Sequence, residues 1–497
     1  MPKSIFRKRA FSFVIAVILS VFPVISCSSD NGGNKDNSIP NVDGDRTSGE
    51  NSAIGEITTE NLMEKYQDGL GEYNFNGEKF KIHTMNTGGV HYLADAEEET
   101  GDVLNDAIYR RNRVIEERFN VVINQVLMDD NFAQPRKIMV SGDSSAFDIL
   151  HARAPDALTF WQDGLVYSCG DIPNIDFSKP YWSQYANKSL TLKGSQYIAL
   201  GEFNISAFDL AHVLIFNKNM IQDHSLENPY SLVKEGKWTF DKMDEFMRQV
   251  ITDLDGNGIM DKNDKYGFLS EEREVLPCFW ISSGEFSVKK DETDTPYLAI
   301  GEERFLSVFN KVFEITWDNG AYFSAKDHTS TLPQSIRDMF SNGQSLFMNM
   351  TFFYMESMRT TETDFGVLPY PKFDDNQENY FTRVEYYNAV QVPLTNSDTE
   401  RAGVMLEALN SYSAKYVLPA YYDISLKTKY SRDEESAEML DLILSIRVID
   451  IGDTTLCDKI RDNFMWSMFE NNKRDLVSQV EKTQGVIQKF IDKIPQD

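Results

Sequence analysis

The sequence predicts an α/β architecture with room for more than one domain, and three observations carry that expectation. The chain has 497 residues, 41% hydrophobic and 25% charged, which is a soluble globular composition. At roughly 100–200 residues per domain it accommodates about two or three, each able to bury a core. Short alternating apolar runs are followed by segments with apolar residues at helical spacing, the pattern of strands joined by helices. No internal repeat of roughly 20–50 residues is visible, which removes helical-repeat solenoids.

The elements follow in order. Phe80-Lys81-Ile82-His83 alternates like a half-buried strand and runs into the polar, Gly-rich Thr84-Met85-Asn86-Thr87-Gly88-Gly89. Leu104, Ala107, Ile108, Ile115, Arg118 and Phe119 recur at helical spacing, and Val121-Val122-Ile123 gives the next strand. A third unit comprises Pro135 to Val140 and then Phe147-Asp148-Ile149-Leu150. This alternation predicts parallel pairing, in which ligands gather at loops beyond the carboxyl ends of strands. Gln196–Leu200 and Val213–Phe216 read as a further strand pair, and Ser345–Asn349 and Ala389–Val392 as buried strands. Long helices are expected over Asp241–Ile251, Thr399–Ala414, Ala437–Ile449 and Asp475–Lys493.

Charge removes several functions. Lys+Arg is 49 against Asp+Glu 77, a formal net charge of −28. A nucleic-acid binder needs a basic footprint to displace counterions, and adhesion to anionic lipid needs one too. At the start of the chain the balance reverses. Lys3, Arg7, Lys8 and Arg9 precede an uncharged stretch from Ala10 to Ile25 that is interrupted by Pro23 and ends in Val24-Ile25-Ser26-Cys27. That order of regions is a secretory signal, too short and broken for the ~20 apolar residues of a membrane span. Val-Ile-Ser-Cys also resembles the lipobox of bacterial lipoproteins, in which the cysteine is acylated. Residues 1–26 are therefore expected to be a signal peptide and Cys27 a lipidated N-terminus. Cleavage there takes the net charge from −28 to −32. Residues 27–58 are Ser/Asn/Gly/Asp-rich and predict a flexible tether.

Beyond Cys27 only Cys169, Cys278 and Cys457 remain, with no CxxC and no histidine at ligand spacing. Three buried small residues, or one disulfide and one thiol, both fit; a zinc site does not. GxSxG, HExxH, P-loop and GxGxxG motifs are absent. Gly142-Asp143-Ser144-Ser145-Ala146 precedes a strand, where a nucleophile elbow would follow one. No enzyme activity is expected, although a glycosidase needs only two carboxylates and so leaves a carbohydrate-active enzyme as the alternative.

One motif carries specific chemistry. Asp253, Asp255, Asn257, Asp261 and Asp264 occupy positions 1, 3, 5, 9 and 12 of a loop with Gly258 at position 6. A hard cation such as Ca²⁺ takes six to eight oxygens, and the glycine permits the turn that gathers them. The Ile259 carbonyl would supply position 7, and Asp264 stands where glutamate is usual. One structural Ca²⁺ is expected; a solvated acidic turn is the bland alternative.

Together the motifs resemble the family 1 extracellular solute-binding lipoproteins of ABC importers, of oligosaccharide type and similar to maltose- and alginate-binding proteins. The resemblance rests on Gly236-Lys237-Trp238-Thr239-Phe240-Asp241 before the acidic loop and Tyr266-Gly267, on Ile172-Pro173-Asn174-Ile175-Asp176 with Lys179-Pro180-Tyr181-Trp182, and on Phe216-Asn217-Lys218. Phe365-Gly366-Val367-Leu368-Pro369-Tyr370-Pro371-Lys372 and Ala389-Val390-Gln391-Val392-Pro393 complete it, from about residue 78 to the C-terminus. It implies a two-lobed, type II periplasmic-binding-protein-like fold with an interlobe cleft. Lobe 1 is expected over 59–203 and lobe 2 over 204–383, with the Ca-binding loop at 253–264. A return to lobe 1 over 384–425 and a C-terminal helical part over 426–497 complete the lobes. The implied function is a monomeric, lipid-anchored receptor on the outer face of the cytoplasmic membrane that delivers a carbohydrate to a permease. A receptor feeding a membrane sensor is the other reading.

Sugar sites combine rings that stack on C–H faces with paired donors and acceptors. The candidate rings are Trp182, as platform or core, and Trp280 in a loop. Phe352 and Phe353 follow Met348-Asn349-Met350-Thr351, where maltose-binding relatives place a stacking aromatic after a similar strand. The candidate polar contacts are Asn86, Arg153, Asn204, Asp209, Arg383, Glu385 and Tyr386. Trp238 is expected to pack at a helix start capped by Thr239 or Asp241.

Overall fold

A computed structural model describes residues 59–85, 93–323, 332–358, 360–422 and 433–494. The signal peptide, the tether, Cys27 and Asn86 lie outside the described residues. In chain order the strands are β1 (Glu78–Met85), β2 (Val121–Met128), β3 (Ile149–Arg153), β4 (His212–Asn217), β5 (Tyr266–Leu269), β6 (Val288–Lys290) and β7 (Pro296–Leu298). They continue with β8 (Tyr322–Phe323), β9 (Ser345–Thr351), β10 (Phe365–Leu368), β11 (Thr382–Arg383), β12 (Asn388–Gln391) and β13 (Arg447–Val448).

Two sheets organise the chain. The first has the order β12-β3-β1-β2 and the second β10-β4-β9-β5-β8. β1 and β2 pair in parallel from Glu78↔Val121 to Met85↔Met128, across the helix Val103–Phe119. That helix starts where the Asp102 side chain accepts the Asn105 N–H and ends at Asn120, whose φ of 47° is left-handed. It buries Leu104, Ala107, Ile108, Ile115 and Phe119. Arg118, expected on the same face, instead reaches out 2.6 Å to Asp68.

The expectation of parallel pairing holds for only part of each sheet. β12 runs antiparallel to β3, and β4 antiparallel to both β9 and β10. The registers supply the reason. β12 begins at Asn388 opposite Arg153, where β3 ends, and β4 begins at His212 opposite Thr351, where β9 ends. The chain thus enters both strands at the carboxyl ends of their neighbours, with no helical crossover to reverse it.

Two further expectations change. Gln196–Leu200 forms no ladder; only Ala199 bridges Val390, because the Asn187 side chain accepts from the Leu200 N–H and the Gln196 amide, both at 3.0 Å. The helix predicted over Ala437–Ile449 spans Glu434–Ser445, and Arg447–Val448 turn out as β13 to pair in parallel with β11. Phe240–Val250 is helical, with Thr239 Oγ1 accepting the Lys242 N–H and Trp238 fully buried beside it. Cys169, Cys278 and Cys457 are buried free thiols.

Candidate binding cleft

The ends of the second sheet's strands converge on a charged cavity of about 110 Å³. His212 enters it from the start of β4, Asn349 and Thr351 from the end of β9, and Glu271, Arg273 and Glu274 from the cap and first turn of the helix Glu272–Ser282 that follows β5. Arg337 and Tyr354 close one side, and Glu385, between β11 and β12, closes the other. This is the edge at which an α/β sheet gathers ligands.

Beneath the cavity lies a buried ion network. Arg383 binds Asp453 through Nε at 2.6 Å and Nη2 at 3.0 Å, and its Nη1 binds Glu274. Arg461 Nη1 reaches Asp453 at 3.1 Å. Arg273 joins Asp462 at 2.9 Å and both Glu274 and Glu385 at 3.3 Å. His212 Nδ1 lies 3.0 Å from Asn349 Oδ1, and its Nε2 lies 2.9 Å from Arg383 Nη1 and 3.5 Å from Glu385. His212, Glu274 and Glu385 each bring a ligand atom within 4.8 Å of one another. Arg383 and Arg273 already hold these carboxylates in an ion cluster.

Two glutamates are driven apart electrostatically. Burial favours the neutral form of Glu385, but the His212 contact and the Arg383 charge hold it well below the usual carboxylate range. Glu271 is pushed up to about 7, first by burial and then by Glu274 and Glu385, against the smaller opposing effect of Arg273.

The predicted residues divide sharply. Glu385 lines the cavity. Tyr386 follows it, with its hydroxyl 3.8 Å from the sulfur of Met85 at the end of β1. Phe353 is 38% exposed and meets the 40% exposed Tyr354 edge-on at 5.2 Å, an aromatic corner beside the cavity. Phe352, 2% exposed, belongs to the core instead, since adjacent residues in the short helix Phe352–Met355 point about 100° apart and only one of the two rings faces inward. Arg383 is buried under the cleft as the hub of the ion network. Arg153 stands at the end of β3, held 2.6 Å from Asp156 and outside the cavity.

Four other expectations are corrected by burial. Trp182 is a core residue whose indole N–H donates to Glu407 at 2.9 Å, while the Tyr181 hydroxyl donates to the other oxygen at 2.5 Å. Trp280 lies within the helix Glu272–Ser282, not a loop, and donates to Asp450 at 2.9 Å. Asn204 fastens the junction between the sheets by donating to the Asn388 carbonyl at 2.5 Å. Asp209 accepts from the Tyr421 hydroxyl at 2.5 Å. In each case a buried polar atom finds its partner far along the chain, which ties the side chain into the core. Glu271, Arg273, Glu274, Arg337 and Tyr354 were not anticipated from the sequence. The available signal was Glu271-Glu272-Arg273-Glu274, a charged run directly beyond an apolar strand.

Away from the cleft, one oxygen each of Asp253, Asp255 and Asp264 lies within 4.8 Å of the others. Gly256 and Gly258 take φ of 68° and 80°, left-handed values that a side chain disfavours, and bend the loop inward. Asp264 is buried and accepts the Leu254 and Asp261 N–H groups at 2.9 and 2.7 Å, closing the loop end to end. The side-chain oxygen of Asn257 accepts the Ile259 N–H at 2.7 Å, and the Asp261 side chain accepts the Asn263 N–H at 2.8 Å.

No protein-family profile matches the sequence, and no curated protein does. Solved structures match in fold. A sugar transporter protein of Rhizobium etli in an open conformation aligns with a TM-score of 0.56 at 13% identity, over 84% of this chain and 100% of its own. The fold is that of a two-lobed solute-binding protein. An ABC substrate-binding protein of Listeria monocytogenes in complex with cycloalternan aligns at TM-score 0.52 and 14% identity, covering 84% of this chain and 99% of its own. A cyclo/maltodextrin-binding protein complexed with maltotetraose aligns at 0.53 and 13%, over 86% and 97%. The charged cavity lies at one edge of the second sheet, where β9 ends and β4 begins. No helix among the described residues is long and apolar enough to cross a membrane.

Proposed function

We propose that this protein is a carbohydrate receptor, held at the outer face of the cytoplasmic membrane by an acylated Cys27, that captures an oligosaccharide and delivers it to an ABC permease. The observation that carries the reading is the exposed Phe353–Tyr354 corner beside a hydrogen-bonding cavity at the carboxyl ends of the strands. Rings for C–H faces next to fixed donors and acceptors are the chemistry a sugar needs. The solved relatives with bound cycloalternan and maltotetraose support an oligosaccharide over a single sugar. The receptor binds as a monomer through residues 59–203 and 204–383, with 384–425 and 426–497 completing the two lobes.

One structural Ca²⁺ sits at Asp253, Asp255 and Asp264, with Asn257, Asp261 and the Ile259 carbonyl completing the shell after a small rearrangement. The converging carboxylates support this, because a hard cation would relieve their mutual repulsion.

A thermal-shift screen against neutral and charged oligosaccharides tests the main reading. A ligand at about 100 times its Kd stabilises by ~2.7 kcal/mol, and Phe353→Ala should weaken that response without lowering the unliganded melt. A screen in which no oligosaccharide raises the melt overturns it. Unchanged membrane fractionation of Cys27→Ala would remove the lipid anchor.

A further inference from the structure

A second cavity, of about 290 Å³, lies behind the stretch between β11 and β12 that carries Glu385. Val384 lines it, while Glu385, the next residue of the same extended segment, lines the charged cavity. The two spaces therefore lie on opposite sides of one stretch of chain. The chain leading into β4 lines the second cavity as well, through Glu202 and through Phe208 of the helix Ser206–Asp209. Leu200, Leu444 and Ile449 give it an apolar wall, and Tyr185, 42% exposed, adds a ring.

Two opposite charges line this space and do not meet. Glu202 makes no hydrogen bond or ion pair among the described residues, and one of its carboxylate oxygens is buried without a partner. Arg447, in β13, is held elsewhere. Its Nε donates to the Leu444 carbonyl at 2.9 Å and its Nη1 to the Ala207 carbonyl at 3.3 Å, and the guanidinium lies 3.7 Å from the centre of the Phe208 ring. Nη2 makes no hydrogen bond among the described residues. Backbone carbonyls and a core ring thus fix the arginine short of the glutamate. Burial pushes the Glu202 carboxyl up to about 7, with the Arg447 and Lys65 charges opposing it from a distance.

Charge complementarity decides what fits between them. A cation alone would answer Glu202 and leave Arg447 unpaired, and an anion alone would do the reverse. A neutral apolar molecule would leave both charges unpaired in a half-buried site. A molecule with an ammonium and a carboxylate on one carbon answers both, and its side chain meets the apolar wall. We propose that this cavity binds a free α-amino acid with an apolar side chain, its ammonium on Glu202 and its carboxylate on Arg447. The volume stands near the ~300 Å³ at which small-molecule sites begin. The site is separate from the carbohydrate cleft and does not depend on that reading.

The test is a thermal-shift series at about pH 7.5, where Glu202 is mostly ionised, with leucine, methionine and phenylalanine at millimolar concentration, followed by calorimetry. At least one of the three should raise the melt. Its amide keeps only the ammonium and its N-acetyl form only the carboxylate, and each should bind about tenfold or more weakly. Glu202→Gln, which keeps the shape of the side chain, should weaken the amino acid about tenfold, because a charge-assisted bond is lost. Phe353→Ala, beside the charged cavity, should leave amino-acid binding within about twofold, since distant sites act independently. No response to any of the three, equal binding of either blocked form, unchanged binding in Glu202→Gln, or loss of binding in Phe353→Ala would overturn the inference. A melt raised by oligosaccharides and by none of the amino acids would overturn it while leaving the receptor reading standing.

Discussion

His83 offers a sharp test of how burial sets protonation in the first sheet. It stands in β1 with no exposed surface, its ring 5.7 Å from that of Phe147, and neither ring nitrogen has a hydrogen-bond partner. Burial lowers its pKa from 6.5 to about 4, since no group nearby compensates an imidazolium. Between those values the unfolded chain binds a proton that the folded chain refuses. The associated stability is therefore present above pH 6.5 and is lost as pH falls toward 4. Linkage puts the loss at about 2 kcal/mol between pH 7.5 and 5.0 for this group. His83→Phe keeps an aromatic ring against Phe147 and removes the titration. Urea unfolding of both proteins at the two pH values isolates the difference, because every other titrating group is common to both. His151, lowered to about 3 chiefly by burial, remains in each and still contributes to acid sensitivity. The variant should lose about 2 kcal/mol less than the parent on acidification. Equal losses would mean that His83 takes up its proton inside the fold, and the argument from burial would fail.

Four further outcomes follow from the same structure. Arg383→Met leaves Asp453 and Glu274 buried with too little positive charge, and should cost about 3–5 kcal/mol in unfolding experiments; a loss below about 1 kcal/mol would show that Arg461 and Arg273 suffice. In Gly403→Ala the new Cβ would meet the Pro173 carbonyl oxygen at 1.7 Å, so backbone must move and stability should fall by about 1–3 kcal/mol or more. Gly485→Ala, on an exposed helical site with nothing within 4 Å, should gain about 0.5–1 kcal/mol in the same melt. Chelation should lower the unfolding temperature of the calcium-loaded protein, and Asp255→Ala should abolish that response; a melt indifferent to chelator would leave the acidic loop a solvated turn.

What the sequence makes legible here is what short-range physics decides. The helix over Val103–Phe119 follows from apolar spacing and an Asp cap, and β1 from alternation, because both depend on neighbours within a few residues. The acidic loop is legible for the same reason, its oxygens and glycines lying within one short turn. Side chains whose role depends on a distant partner are not. Trp182 and Trp280 have the composition of stacking platforms, and only the arrival of Glu407 and Asp450 from far along the chain turns them inward. Phe352 and Phe353 mark the finest limit. The segment is legible as one that delivers an aromatic beyond a strand, yet the step from the end of β9 into a helical turn decides which ring is 2% and which is 38% exposed. The charged run Glu271-Glu272-Arg273-Glu274 reads on its own as a solvated helix start. Its meaning comes from position: directly beyond β5, at the edge where β9 also ends and β4 begins, its charges face the same space as Glu385. Three strands meeting at one edge concentrate like charge where no single segment would. Burial, and then repulsion from Glu274 and Glu385 that is negligible in the extended chain, raises the Glu271 pKa, and both effects exist only once the sheet has formed.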